Sequence, residues 1–155
     1  MVHELAVLVA LMASASRDLP PIPTYTVNRA VSPIVVDGKL NDAAWKNATP
    51  LDFLFPWPQQ TGAKQTTHAR LLWDDKYLYI GYECEDTNIV ALRGEHDDPT
   101  YLDDAVEAFI NPTPGQSSYY GLEMNARAVL YDYLFTQPDH VFKSVNFAGV
   151  LLATN

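Results

Sequence analysis

The feature that most limits what this chain can fold into is the stretch Leu71-Leu72-Trp73-Asp74-Asp75-Lys76-Tyr77-Leu78-Tyr79-Ile80-Gly81-Tyr82-Glu83-Cys84-Glu85-Asp86. Two aromatic-rich apolar runs flank an Asp-Asp-Lys corner, the pattern of a β-hairpin. From Thr67 the alternation puts Ala69, Leu71 and Trp73 on one face and His68, Arg70 and Leu72 on the other. In the returning strand Leu78, Ile80, Tyr82 and Cys84 share a face. A chain organised around such a hairpin pairs strands, and the rest of the sequence agrees.

Further short runs are predicted as strands: Tyr25–Ala30, Ile34–Val36, Ala105–Ile110, Tyr119–Asn125, Val129–Phe135 and an apolar stretch over Val145–Leu152. Turn chemistry separates them, notably Asp37-Gly38 and Asn111-Pro112-Thr113-Pro114-Gly115. After Asp37-Gly38, Asn41 suits the N-cap of one short helix, with Trp45 as a core plug. Trp73 is expected in the core as well. The fold class is therefore all-β: an immunoglobulin-like or jelly-roll-type antiparallel β-sandwich with one short helix near the N-terminus.

The 155 residues suffice for one such domain. Leu5 to Ala13 is apolar and is followed by Ala13-Ser14-Ala15, a small-x-small cleavage pattern, so residues 1–15 are predicted to be a signal peptide. The alternative is a buried N-terminal helix. Either way the run is short of the roughly 20 residues a spanning helix needs, and the mature chain is expected to have no membrane span. Residues 16–24 form a Pro-rich leader and 25–155 the sandwich. Export implies a secreted protein, or one of the periplasm or cell envelope. The single cysteine, Cys84, excludes an internal disulfide framework and is expected to be a buried, inert thiol.

Charge removes one class of partner. Nineteen acidic residues against ten basic give a net charge of −9, which disfavours nucleic acid, because phosphate neutralisation needs a Lys/Arg surface. Nine of those acids lie between Glu83 and Glu107, where Arg93 is the one Lys or Arg. The cluster is either a solvated loop or a cation site.

Flat aromatic rings against pyranose C–H faces, with carboxylates, amides and Arg on the hydroxyls, are what sugar recognition requires. Trp57, in a Pro-flanked loop, and Tyr101, beside Asp103 and Asp104, supply rings; Arg93, Asp97 and Asp98 are placed to reach hydroxyls. Glu107 and Glu123 are strand carboxylates, and such a pair can hydrolyse glycosides at the right separation. No nucleophile elbow, zincin or phosphate-loop motif accompanies them, so no enzyme is expected.

Val35-Val36-Asp37-Gly38 through Trp45, Trp73-Asp74-Asp75 through Leu78-Tyr79, Asp103-Asp104-Ala105-Val106-Glu107 and Tyr119-Tyr120-Gly121-Leu122-Glu123-Met124-Asn125 occur in an order that resembles the family 9 carbohydrate-binding modules. The resemblance runs over roughly Ile34 to Phe135 and implies a secreted, non-catalytic β-sandwich. Its partner would be carbohydrate: ends of plant-type or microbial polysaccharides, or mono- and oligosaccharides. It implies a terminal sugar held between two aromatic side chains, Tyr101 standing where the earlier one lies, and a module appended to a larger secreted protein. It also implies further strands, so that C-terminal strands are expected to be missing after Asn155. No cofactor is required, but structural calcium is implied as possible, with Asp86, Asp103, Asp104 and Glu107 as candidate ligands. Two other readings stand beside it. One is a haem-binding electron-transfer sandwich, with Met124 and either His68 or His140 as axial ligands. The other is a ligand-free scaffold domain of an envelope protein.

Overall fold

Alternating side chains through residues 67–84 build the central hairpin. In the computed structural model, which describes residues 24–54, 65–138, 140–143 and 145–155, Thr67–Trp73 and Leu78–Cys84 pair antiparallel from Thr67↔Cys84 to Trp73↔Leu78. The four-residue corner is organised by one carboxylate. Asp74 Oδ1 accepts the amides of Lys76 and Tyr77 at 2.8 and 2.9 Å, and Oδ2 accepts the Tyr79 hydroxyl at 2.8 Å. These backbone and hydroxyl bonds hold the Asp74 carboxyl below the usual carboxylate range.

In chain order the strands are β1 (Asn28–Arg29), β2 (Leu51–Asp52), β3 (Thr67–Trp73), β4 (Leu78–Cys84), β5 (Ala105–Ile110), β6 (Tyr119–Asn125), β7 (Leu130–Gln137) and β8 (His140–Phe142). The first sheet has β4 on one edge of β3. The other edge takes β2 antiparallel through Leu51↔Ala69 and β1 parallel through Asn28↔Leu72. The second sheet runs β5-β6-β7-β8, antiparallel throughout. The architecture is thus the expected all-β sandwich, with one parallel pairing that alternation cannot reveal.

A 3-10 helix, Ala43–Asn47, seals the first sheet. Trp45, 6% exposed, packs with Ala44, Ala48 and Leu72, and Ile34, Leu40 and Tyr79 close around them. The N-cap is Asp42 rather than Asn41, and its carboxylate turns back to accept the Val35 amide at 3.0 Å instead of capping the helix. That bond ties down Ile34–Val36, which is not a strand: Val35 and Val36 stand exposed beside the Asp37-Gly38 turn, where Gly38 takes φ +82°.

Other expectations are corrected at the ends of elements. Tyr25–Ala30 contributes only two strand residues. Trp73 is not core; it is 40% exposed at the end of β3 and lies beneath the Arg29 guanidinium, 4.9 Å from its ring centroid. Cys84 ends β4 and is exposed. Val145–Leu152 is apolar but not a strand; Phe147 docks edge-on against Tyr120 instead. The signal-peptide and most of the leader residues lie outside the described residues.

The sheets are bridged by the Tyr82 hydroxyl, which donates to the Glu107 carbonyl at 2.8 Å. Burial raises the pKa of that phenol to about 12. Beside the bridge lies a cleft of about 1370 Å³, lined by Ile80 and Tyr82 from the first sheet and Val106, Leu122 and Met124 from the second. No helix among the described residues is long and apolar enough to cross a membrane.

Candidate functional site

Register assembles an aromatic surface on the second sheet. Because side chains alternate, the pairings Glu107↔Glu123↔Tyr131, Phe109↔Gly121↔Tyr133 and Tyr119↔Phe135 put all of these side-chain positions on one face. The rings form a continuous set. Tyr119 stacks on Phe135 with centroids 4.6 Å apart; Phe109 and Tyr133 meet Tyr119 edge-on at 5.4 and 6.4 Å; Tyr131 lies 5.2 Å from Tyr133. Gly121 makes this possible, since a Cβ there would lie 2.2 Å from Cζ of Tyr133. The Tyr133 ring lies across the strand where a side chain would otherwise stand.

Glu123 sits among these rings, 5% exposed, and its Oε2 has no hydrogen-bond partner. Burial pushes its carboxyl up; the Tyr133 hydroxyl and Lys143 oppose this, and Glu107 adds to it. Burial and the Glu123 carboxylate likewise push the Tyr133 phenol well up. Lys143 Nζ lies over the Tyr131 ring at 5.1 Å.

Tyr101 forms the rim. It occupies the 3-10 turn Thr100–Leu102, is 53% exposed and meets Tyr131 edge-on at 5.7 Å. The buried Thr100 anchors that turn, its amide donating to the Asp98 carbonyl at 2.7 Å. An exposed aromatic side chain is thus joined through Tyr131 to the strand position opposite Glu123.

The other sequence-predicted residues take several places. Asp98 serves its loop: Oδ2 accepts the Glu95 and Gly94 amides at 2.9 and 3.0 Å, which lowers its pKa. Arg93 lies in the same loop, donating its amide to Asp103 Oδ2 at 2.9 Å. Asn125 Nδ2 reaches that oxygen at 2.9 Å and the Arg93 carbonyl at 3.0 Å, tying the loop to β6. Partial burial raises the Asp103 carboxyl, but the Arg93 amide, Asn125 and the Arg93 charge outweigh it, and the net shift is downward. Asp97, at φ +66°, turns toward His96 and Asp132. Trp57 lies outside the described residues.

Among the described residues, no three of the four candidate calcium ligands have ligand atoms within 4.8 Å of one another. Asp86 accepts the Asn88 amide, Asp104 accepts the Val90 amide, Asp103 is committed as above, and Glu107 stands on β5 opposite Glu123. Nor are the candidate haem ligands gathered. Met124 lines the cleft at one end of β6, whereas His140 pairs with Gln137 beyond the other end, and His68 is bonded to Asp52 at 2.6 Å.

Residues 36–144, well over half of the chain, match the family described as carbohydrate family 9 binding domain-like. The chain belongs to that family. It is therefore a binding domain of the carbohydrate family 9 type and not an enzyme. Curated relatives include endo-1,4-beta-xylanase A of Thermoanaerobacterium saccharolyticum and exoglucanase XynX of Acetivibrio thermocellus. Each is 33% identical over 98 residues, which is 63% of this chain and 8% of the relative. Endo-1,4-beta-xylanase C of Paenibacillus barcinonensis is 34% identical over 85 residues, 55% of this chain and 7% of the relative. The chain thus matches only a small part of each relative's length. No solved structure matches it.

Tyr131, Tyr133, Glu123 and Lys143 join the sequence-predicted Tyr101 at this face. For Tyr131, Tyr133 and Glu123 the signal was the shared alternation of Tyr119–Asn125 and Leu130–Phe135, which becomes a common surface only once the β6–β7 register is known, whereas Lys143 follows β8 and lies outside both runs.

Proposed function

We propose that this family 9-type domain binds the chain ends or short oligomers of a β-linked glucan or xylan on the face framed by Tyr101, Glu107, Glu123 and Tyr131. The observation that carries the reading is Glu123 Oε2, a buried carboxylate oxygen lacking a partner at the strand position facing Tyr131, which meets the exposed Tyr101 ring edge-on. A pyranose lying against Tyr101 presents hydroxyls at its edge, and one of these satisfies the oxygen with a charge-assisted hydrogen bond once the side chains covering it move aside. The exposed Glu107 takes a second hydroxyl from the neighbouring strand. The xylanase and exoglucanase names of the relatives support the substrate class. Such polymers lie outside cells, which together with the apolar Leu5–Ala13 run supports a secreted module appended to a larger protein.

Calorimetric titration of the full chain with cellobiose and xylooligosaccharides tests this. Saturable binding is expected, weakened about tenfold or more by Tyr101→Ala and by Glu123→Gln, equivalent to about 1.4 kcal/mol or more. A flat titration by a chain whose circular dichroism shows folded β-structure excludes the reading and leaves the scaffold role.

A further inference from the structure

We infer that His96, Asp97 and Asp132 form a binding site for a divalent cation of the zinc class, separate from the carbohydrate face. Among the described residues this is the group of His and carboxylate side chains whose ligand atoms all lie within 4.8 Å of one another. His96 Nε2 is 3.3 Å from Asp132 Oδ1, 3.6 Å from Asp97 Oδ1 and 2.7 Å from Asn146 Oδ1.

Counting donors shows what is missing. Asp132 is 0% exposed; its Oδ2 accepts the Phe147 amide at 2.7 Å, while Oδ1 has no hydrogen-bond partner. Asp97 Oδ1 is also buried and unpartnered. Three oxygens therefore converge on one ring nitrogen, which carries at most one proton, and the Asn146 oxygen takes it. Two carboxylate oxygens remain unsatisfied, a costly arrangement for buried groups. A cation at the point of convergence removes the deficit at every oxygen at once. Ligation uses the Nε2 lone pair, so the proton now shared with Asn146 leaves to solvent.

The spacing suits a small metal. Four ligands at about 2.1 Å in a tetrahedron lie about 3.4 Å from one another, and the ring nitrogen is 3.3 and 3.6 Å from the two carboxylate oxygens. Asn146, at hydrogen-bond distance, needs to withdraw slightly to become a fourth ligand; water can take that position instead. One imidazole nitrogen among oxygens favours a borderline cation such as zinc over calcium, which prefers six to eight oxygens. Bound there, the ion pins the loop carrying Asp97 to β7 and to the segment carrying Phe147.

The test is titration of the chelator-treated full chain with zinc chloride at neutral pH, in parallel with cobalt(II), whose visible absorption reports a nitrogen- and oxygen-ligated site. One equivalent of zinc is expected to bind and to raise the melting temperature. His96→Ala truncates a half-exposed side chain. It is expected to weaken zinc by more than the roughly 10–100-fold that loss of a supporting partner costs a metal site, whereas His140→Ala leaves binding unchanged. Asp132→Asn should abolish the cobalt spectrum; if it does not fold, Asp97→Asn replaces it. Absence of saturable zinc binding, or zinc binding unaffected by His96→Ala, overturns the inference. So does a preference for calcium that persists in that variant.

Discussion

Glu123 concentrates the chemistry of the proposed carbohydrate face in one residue. Removing a carboxylate from water without pairing its second oxygen raises its folded pKa above the ordinary value near 4.5. The protonated form is therefore favoured on folding. Its contribution to stability is fully present below the unfolded pKa and is lost as pH rises through the folded one. Compared with Glu123→Gln, the wild-type chain should lose stability over that interval, measurable as diverging urea midpoints between mildly acidic and neutral pH. A hydroxyl on Oε2 partly offsets the cost, so saturating oligosaccharide should narrow the divergence. Parallel midpoints for the two proteins would show that Glu123 is not stressed by burial.

At the scale of the element, the β3–β4 hairpin is governed by its corner. Asp74 has a depressed pKa, so the sign is the reverse of that at Glu123: its contribution is present above about 3.8 and is lost as pH falls through the lower folded value. Asp74→Asn should accordingly melt below the wild type at neutral pH, with the gap closing in acid, and should speed amide exchange at Lys76 and Tyr77. The corner was legible in the sequence because its turn chemistry is local, as were Trp45 and the Asp37-Gly38 turn. What was not legible depended on partners distant in the chain. Trp73 shares the alternation of Ala69 and Leu71, but at the end of β3 it meets Arg29 instead of the core. Val145–Leu152 has a strand's composition, yet the Phe147 amide goes to Asp132. Asp132 is the one charge in the run Val129–Phe135; that it faces His96 follows from where the acidic loop packs. Tyr101 could be picked from its loop, whereas Tyr131 and Glu123 required the register of β6 against β7.

Across the whole molecule, apolar burial is divided rather than pooled. Leu72, Ala44, Trp45 and Ala48 form one cluster under the first sheet, while buried Leu130, Tyr131 and Tyr133 belong to the second. Between them lies the cleft, crossed by the Tyr82–Glu107 bond. Stability divided in this way predicts distinct cooperative units on hydrogen exchange. Leu72→Ala deletes a fully buried side chain and should cost about 2–5 kcal/mol locally. If the units are distinct, amides of β3 and β4 exchange faster in that variant, while those of β6 and β7 change little. Equal acceleration in both sheets would mean that the Tyr82 bridge couples them into a single unit despite the cleft. The proposed carbohydrate face lies on the second sheet, with Tyr101 joined to it through Tyr131. Leu72→Ala should therefore retain oligosaccharide affinity at temperatures where the first sheet has already begun to exchange.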